Sequence, residues 1–170
     1  GSGPKLTPEQ SQEAAAEMIG LKPRLVVMSS PNAALPGPAR AREMLAKAKI
    51  PTISLSDAPG KKATKDIEEK GQGYIMLLGD PLIGARREFL DSVEMALFNS
   101  DGIRVLSITG ALRLIMRAID NAIQQIKEGK SPQLPKLVVD GKTAVTAAEF
   151  KNPYARARAI AAYEMAGKVG

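Results

Sequence analysis

The hydrophobic pattern changes period several times along the chain, and each change marks an element. In segment 7–20, TPEQSQEAAAEMIG, Ala14, Ala15, Met18 and Ile19 recur at helical spacing on one face. Thr7 stands at the N-cap, Pro8 at the first helical position and Gln10 three residues past the cap, which is a capping box; Gly20 closes the helix. Segment 24–29 is a short apolar run with β-branched residues and reads as a buried strand. Helical spacing returns at Ala41, Met44, Leu45 and Ala48, behind Pro38 as a helix start. PTISLS at 51–56 is strand again, a short charged helix is expected around 66–70, and GYIMLL at 73–78 is a third strand. Strand, loop and helix alternate three times, which predicts an α/β fold: a parallel sheet with right-handed helical crossovers.

After residue 90 the pattern becomes helical. Segment 92–99 reads as helix, whereas Ile103, Val105 and Leu106 fit either a strand or a short helix. Segment 111–129 carries a continuous stripe of Leu112, Ile115, Met116, Ile119, Ala122, Ile123 and Ile126, widened by Leu114 and Ala118. So wide a stripe implies burial between several helices or across a subunit interface. A linker and short strand follow at 131–141, then a last helix opened by Asn152 and Pro153. The expected division is an α/β region at 1–90, a helix-bundle region at 91–130, and a linker, strand and C-terminal helix at 131–170. Little precedes the first helix and the last runs to Gly170, so the chain reads as the middle of something longer; the opening GSG also matches a tag remnant.

Composition narrows the chemistry. Of 170 residues 44% are hydrophobic but only 4% aromatic, so the core must be aliphatic. A formal net charge of +6 favours acidic partners: nucleic acid, an anionic membrane, or phosphorylated and carboxylated small molecules. The absence of Cys and His excludes thiolate nucleophiles, disulfides, Cys/His metal sites and His-dependent triads. It fits a cytoplasmic setting, as does the lack of a membrane-length apolar run or an opening signal peptide. Nucleic-acid binding has charge in its favour but no aromatic platform and no motif, and neither nucleic acid nor membrane is expected as a partner.

Ligands of parallel sheets collect at the carboxyl ends of strands, and three such ends are rich in turn and polar residues. They are 29–38 (SSPNAALPGP), 57–60 (DAPG) and 79–87 (GDPLIGARR). Pro and Gly fix the backbone and allow close approach, Ser30, Asn32, Asp57 and Asp80 offer hydrogen-bonding groups, and Arg86 and Arg87 can grip phosphate or carboxylate. The same loops also suit ordinary connections, with the arginines paired to Glu88, Asp91 or Glu94. Other signals fail. GQG at 71–73 precedes a strand instead of following one, and DGKT at 140–143 lacks the earlier glycine of a P-loop. Arg113 and Arg117 share a face that suits a solvated stripe.

The segments SSPNAALPGPARARE, SDAPG, GYIMLLGDPLIGARREFLDSVEMALFN, GALRLIMRAID and NPYARARAIAAYE, in this order and spacing, resemble the archaeal methylenetetrahydromethanopterin dehydrogenases that depend on the deazaflavin coenzyme F420. The resemblance runs almost end to end, but the family's initial strand and loop and its C-terminal portion are missing. It implies hydride transfer between the methylene bridge of methylenetetrahydromethanopterin and C5 of the deazaflavin, an α/β domain joined to a helix bundle, and a homo-oligomer. Such chemistry needs two aligned rings and no acid–base side chain, which suits a chain without His or Cys. The residues expected to line the cleft are Ser30, Pro31, Asn32, Asp57, Ala58, Pro59, Asp80, Pro81, Gly84 and Arg86. Asp80 or Asp57 is a candidate for tuning protonation at the deazaflavin, with loop capping as the alternative role. Thr109 and Gly110 are placed either against ligand or as a helix cap. The competing expectation is an incomplete fragment that serves as a ligand-binding or oligomerisation module.

Overall fold

The computed structural model describes residues 7–80, 82 and 91–169. Helix α1 (Pro8–Gly20) begins with the expected capping box: the Gln10 amide donates to Thr7 Oγ1 at 3.2 Å and the Thr7 amide to Gln10 Oε1 at 3.0 Å. Its buried line runs through Ser11 and Ala15, while Ala14 and Met18 face solvent. The reason is its main neighbour among the described residues, α2 (Pro36–Lys47), which approaches closely at Gly37: a Cβ there would lie 2.6 Å from Ser11 Oγ. Helix α2 starts at Pro36, two residues before the expected Pro38.

Four strands, β1 (Val26–Ser30), β2 (Thr52–Asp57), β3 (Gly73–Leu77) and β4 (Lys136–Val139), form one parallel sheet in the order β1-β2-β3-β4. Residues 58–63 wind as a 3-10 helix that runs into α3 (Thr64–Glu69). The ambiguous stretch after residue 100 is helix: α4 (Ser92–Thr109) is continuous, capped by Asp91, whose carboxylate accepts from the amides of Val93 and Glu94. Thr109 and Gly110 form the joint between α4 and α5 (Ala111–Lys127). Two short steps later come α6 (Gly141–Ala148) and α7 (Pro153–Val169), the latter capped by Asn152 as expected. Among the described residues no helix is long and apolar enough to cross a membrane.

Strand alternation divides the core into two layers. On one face Ile53, Ile75, Leu77 and Val139 pack against Leu106 of α4, Ala111, Ile115 and Ala122 of α5, Ala144 of α6 and Tyr163 of α7. On the other, Tyr74 and Met76 pack against Ala33, Ala63 and Ile67. The connection from β2 to β3 therefore covers one face and that from β3 to β4 the opposite face, although both step the same way across the sheet. They must differ in hand, so the right-handed crossovers expected for the alternating strands up to residue 78 do not extend to the connection that leads on to β4 if they hold between β2 and β3. Crossovers between parallel strands of one sheet are almost all right-handed, so one of these two connections departs from the common pattern. The stripe on α5 is only partly covered: Ile115, Ala122 and Ile126 are buried, but Met116 is 55% and Ile123 36% exposed.

Helix α6 escapes sequence detection because GKTAVTAA carries Gly, Thr and Val, poor helix formers. Its nucleus is Asp140, whose carboxylate accepts from the Thr143 amide at 2.7 Å. Hydrogen bonds from the Thr143 side chain and amide hold the Asp140 carboxyl below its ordinary range. Replacing Asp140 with Ala is expected to cost about 1 kcal/mol of stability. A lowered folded pKa means this contribution is present above the unfolded value and is lost as pH falls through the folded one. Unfolding of wild type and D140A should thus converge in acid, measurable by urea titration at neutral and acid pH.

Candidate functional site

All four strands being parallel, their carboxyl ends lie on one edge of the sheet. In open sheets a crevice forms there where neighbouring strands send their connections to opposite faces. Usually a reversal of strand order creates that split; here the change of hand creates it, between β2 and β3. After β2 the next helix, α3, covers one face of the sheet, and after β3 the next described helix, α4, covers the other. The crevice between them is bordered by 57–59 and 79–80.

Two hydrogen bonds cross it. The Ala58 amide donates to Asp80 Oδ1 at 2.7 Å, and the Leu82 amide donates to Asp57 Oδ2 at 2.8 Å. Each aspartate thus holds the backbone that follows the neighbouring strand. Asp57 is fully buried at the end of β2. Asp80 has φ of 48°, in the left-handed region that Asp tolerates better than most residues. Burial pushes the Asp80 carboxyl above its ordinary pKa, and the Ala58 amide opposes that shift. Asp57 makes no cap bond to the Ala-Pro-Gly turn that it precedes and holds Leu82 instead, while in Asp80 the loop tie coexists with a perturbed carboxyl.

The loop after β1 joins the same rim. The Ala33 amide donates to the buried Ser56 Oγ of β2 at 2.9 Å. Asn32 Oδ1 accepts from the Ala34 amide at 3.0 Å, which folds 32–35 into a turn. Gly60 packs so closely beneath this contact that a Cβ would sit 2.2 Å from Ser56 Oγ. Ser30, Pro31, Asn32, Asp57, Ala58, Pro59 and Asp80 are thus brought to one edge, while Pro81, Gly84 and Arg86 lie outside the described residues.

Three supports were not legible in the sequence. Ser56 looked like an ordinary strand residue. Tyr163 lies buried under Gly79, where a Cβ would come within 3.0 Å of its ring, and its hydroxyl donates to the Val139 carbonyl at 2.7 Å. Burial pushes that phenol far above its ordinary pKa, so it stays a donor. Glu164 accepts from the Gly141 amide at 2.9 Å, and Gly167 abuts the Leu78 carbonyl. Helix α7 therefore braces the exit of β3; the pair Ala159 and Tyr163 at helical spacing was the available signal. Arg42 is the third. Conversely, Thr109 and Gly110 bear on packing: Thr109 Oγ1 donates to the Val105 carbonyl, and Gly110 abuts α6. Arg117 makes an exposed ion pair with Glu149 at 3.8 Å.

Two surface hollows lie beside the 57–59/79–80 crevice or away from it: one of about 530 Å³ runs along α4 between Ala96 and Ile108, and one of about 360 Å³ opens between α2 and α3 and reaches Ala34 and Pro36 of the loop after β1. The first touches none of the described strand-end residues, so size alone does not select the candidate site.

Comparison with known proteins identifies the family. A family model described as methylene-5,6,7,8-tetrahydromethanopterin dehydrogenase matches residues 1–170. The F420-dependent methylenetetrahydromethanopterin dehydrogenase of Methanocaldococcus jannaschii is 52% identical over 171 residues, covering 100% of this chain and 62% of that protein. Its counterpart in Methanothermobacter thermautotrophicus is 50% identical over 169 residues, covering 99% and 61%. A solved structure of an F420-dependent methylene-tetrahydromethanopterin dehydrogenase, in complex with methylene-tetrahydromethanopterin and coenzyme F420, superposes with a TM-score of 0.89 at 43% identity, over 96% of this chain and 60% of that one. The chain therefore spans about three fifths of the length of these relatives. It belongs to the methylene-5,6,7,8-tetrahydromethanopterin dehydrogenase family.

Proposed function

We propose that the β2–β3 crevice aligns methylenetetrahydromethanopterin with coenzyme F420 for hydride transfer from the one-carbon bridge of the pterin. The observation that carries this reading is the pair of crossed ties, Asp80 to Ala58 and Asp57 to Leu82, which fix the two walls of the crevice against each other. Hydroxyl, amide and carboxylate groups at this rim, without His or Cys, suit a deazaflavin that brings its own redox chemistry. When bound, the coenzyme supplies the hydride acceptor, and the pterin's own nitrogens carry the positive charge left on the bridge. The chain's part is to bind, to orient and to exclude water. Ser30 and Asn32 are assigned to contact ligand polar groups, Ala58 and Pro59 to present backbone to a ring, and Asp80 to present its carboxylate near it. Arg86 is assigned to an acidic tail, by resemblance.

Titration with coenzyme F420, followed at its visible absorbance, and then addition of the pterin test the proposal. Saturable binding and bleaching on pterin addition are expected. Binding without bleaching would favour the second reading, a ligand-binding or self-associating module. That reading draws on α4, where Val93, Leu97, Ile103 and Ile108 are exposed, an apolar run that suits a homo-oligomer contact. Sedimentation should then show self-association that Leu97→Glu weakens.

A further inference from the structure

Arg42 lies in the middle of α2 with 1% of its surface exposed. Arginine is rarely so buried without a strong counter-ion. Its carboxylate partner is loose: Nη2 is 3.5 Å from Asp66 Oδ2, and Asp66 has a 45% exposed side chain and also pairs with Lys70. The short contact is elsewhere. Arg42 Nη1 donates to the Ala33 carbonyl at 2.6 Å, inside the protein. Gln72 in turn holds the Arg42 carbonyl, with Nε2 at 3.0 Å.

Ala33 is therefore gripped on both sides, its amide by Ser56 and its carbonyl by Arg42. The turn around it is otherwise held by its own bonds, Ala34 to Asn32 Oδ1 and Leu35 to the Asn32 carbonyl. A turn closed on itself moves as a unit about its anchor, and the anchor is Ala33. The residues immediately before it, 30–32, form the first wall of the rim.

We infer that Arg42 is a positioning residue for the candidate active site: without touching ligand, it sets the height of the Ser30–Pro31–Asn32 wall over the crevice through the Ala33 carbonyl. The ligand side of this inference rests on the proposed function; the anchoring of the turn does not. A buried, permanently charged donor makes a stiffer bond to a carbonyl than a neutral one would. The loose Asp66 contact keeps the charge tolerable without drawing the guanidinium away from Ala33.

Amide hydrogen exchange and coenzyme F420 titration on the whole chain test it, using Arg42→Met, Arg42→Lys and Ser56→Ala. Arg42→Met fills the space and removes the donor. Exchange at Ala33, Ala34 and Leu35 should rise about tenfold or more, and coenzyme affinity should fall by a similar factor, while Ile53 and Ile75 keep wild-type protection. Arg42→Lys should restore part of both effects, and Ser56→Ala should loosen the same amides. A uniform rise in exchange across the sheet, or unchanged protection of the turn, would overturn the inference and leave Arg42 a core residue. If Arg42→Met fails to fold, Arg42→Lys and Ser56→Ala decide by the same amides. A wild-type chain that binds no coenzyme would defeat the proposed function, and the exchange data would still decide the anchoring.

Discussion

On the proposed function, hydride transfer should fall about 100-fold in Asp80→Ala, since displacing an aligning wall by an ångström costs a factor of that order. Alanine removes the acceptor for the Ala58 amide, so the 58–60 wall loses its tie to the β3 exit. It also places a residue with no side-chain hydrogen bond at φ of 48°, at about 1 kcal/mol of strain. The fold should persist, because the Asp57–Leu82 tie and the Tyr163 brace remain. Asp80→Asn separates the two roles of the carboxylate. It keeps an acceptor oxygen and tolerance of the left-handed region, but cannot titrate. Burial raises the Asp80 pKa, so this group stabilises the folded state most below its unfolded value, and that contribution is lost as pH rises through the folded one. Activity that needs the ionised carboxylate should therefore fail at a higher pH than an ordinary aspartate would dictate, and Asn should flatten that acid limb. A pH–rate profile of the three proteins checks both points; wild-type rates in Asp80→Ala would remove the tie from the account.

The second large effect is on stability. Gly110 joins α4 to α5 with φ of 91°, and a Cβ there would lie 2.5 Å from both the Ala144 carbonyl and the Ala148 methyl of α6. Strain and overpacking each add to the cost of Gly110→Ala, for a loss of about 2–4 kcal/mol. The layer of helices covering Ile75, Leu77 and Val139 meets at this joint, so the loss should appear as one cooperative shift in urea unfolding. A midpoint within about 0.5 kcal/mol of wild type, the scale of an indifferent surface substitution, would mean that α6 yields without cost.

Local chemistry made much of this fold readable. The Thr7 capping box, the Asn152 cap and the three apolar β runs each declare themselves within a few residues, and their alternation yields a parallel sheet. The three polar strand ends follow from that alternation, which is why Ser30, Asp57 and Asp80 can be placed at one sheet edge from the sequence. Long-range information was not readable. Nothing near residue 42 says that its guanidinium reaches a carbonyl nine positions back, because its surroundings are the Ala33 turn, Asp66 of α3 and Gln72 ahead of β3. Nothing in 78–135 announces that this connection crosses the opposite face, yet that crossing opens the crevice. Helix α6 depends on one cap and on its neighbours, so propensity alone misses it. Ser56 shows the limit most plainly: its role exists only where two strand ends and a 3-10 turn meet.

The most direct measurement is a nitrogen–proton correlation spectrum of the labelled chain during titration with coenzyme F420. Shifts should concentrate on the amides of Ser30, Asn32, Ala58 and Asp80, leaving α1 and the outer side of α3 silent. Shifts confined to α4, or to any surface away from the carboxyl ends of β2 and β3, would contradict the placement of the site.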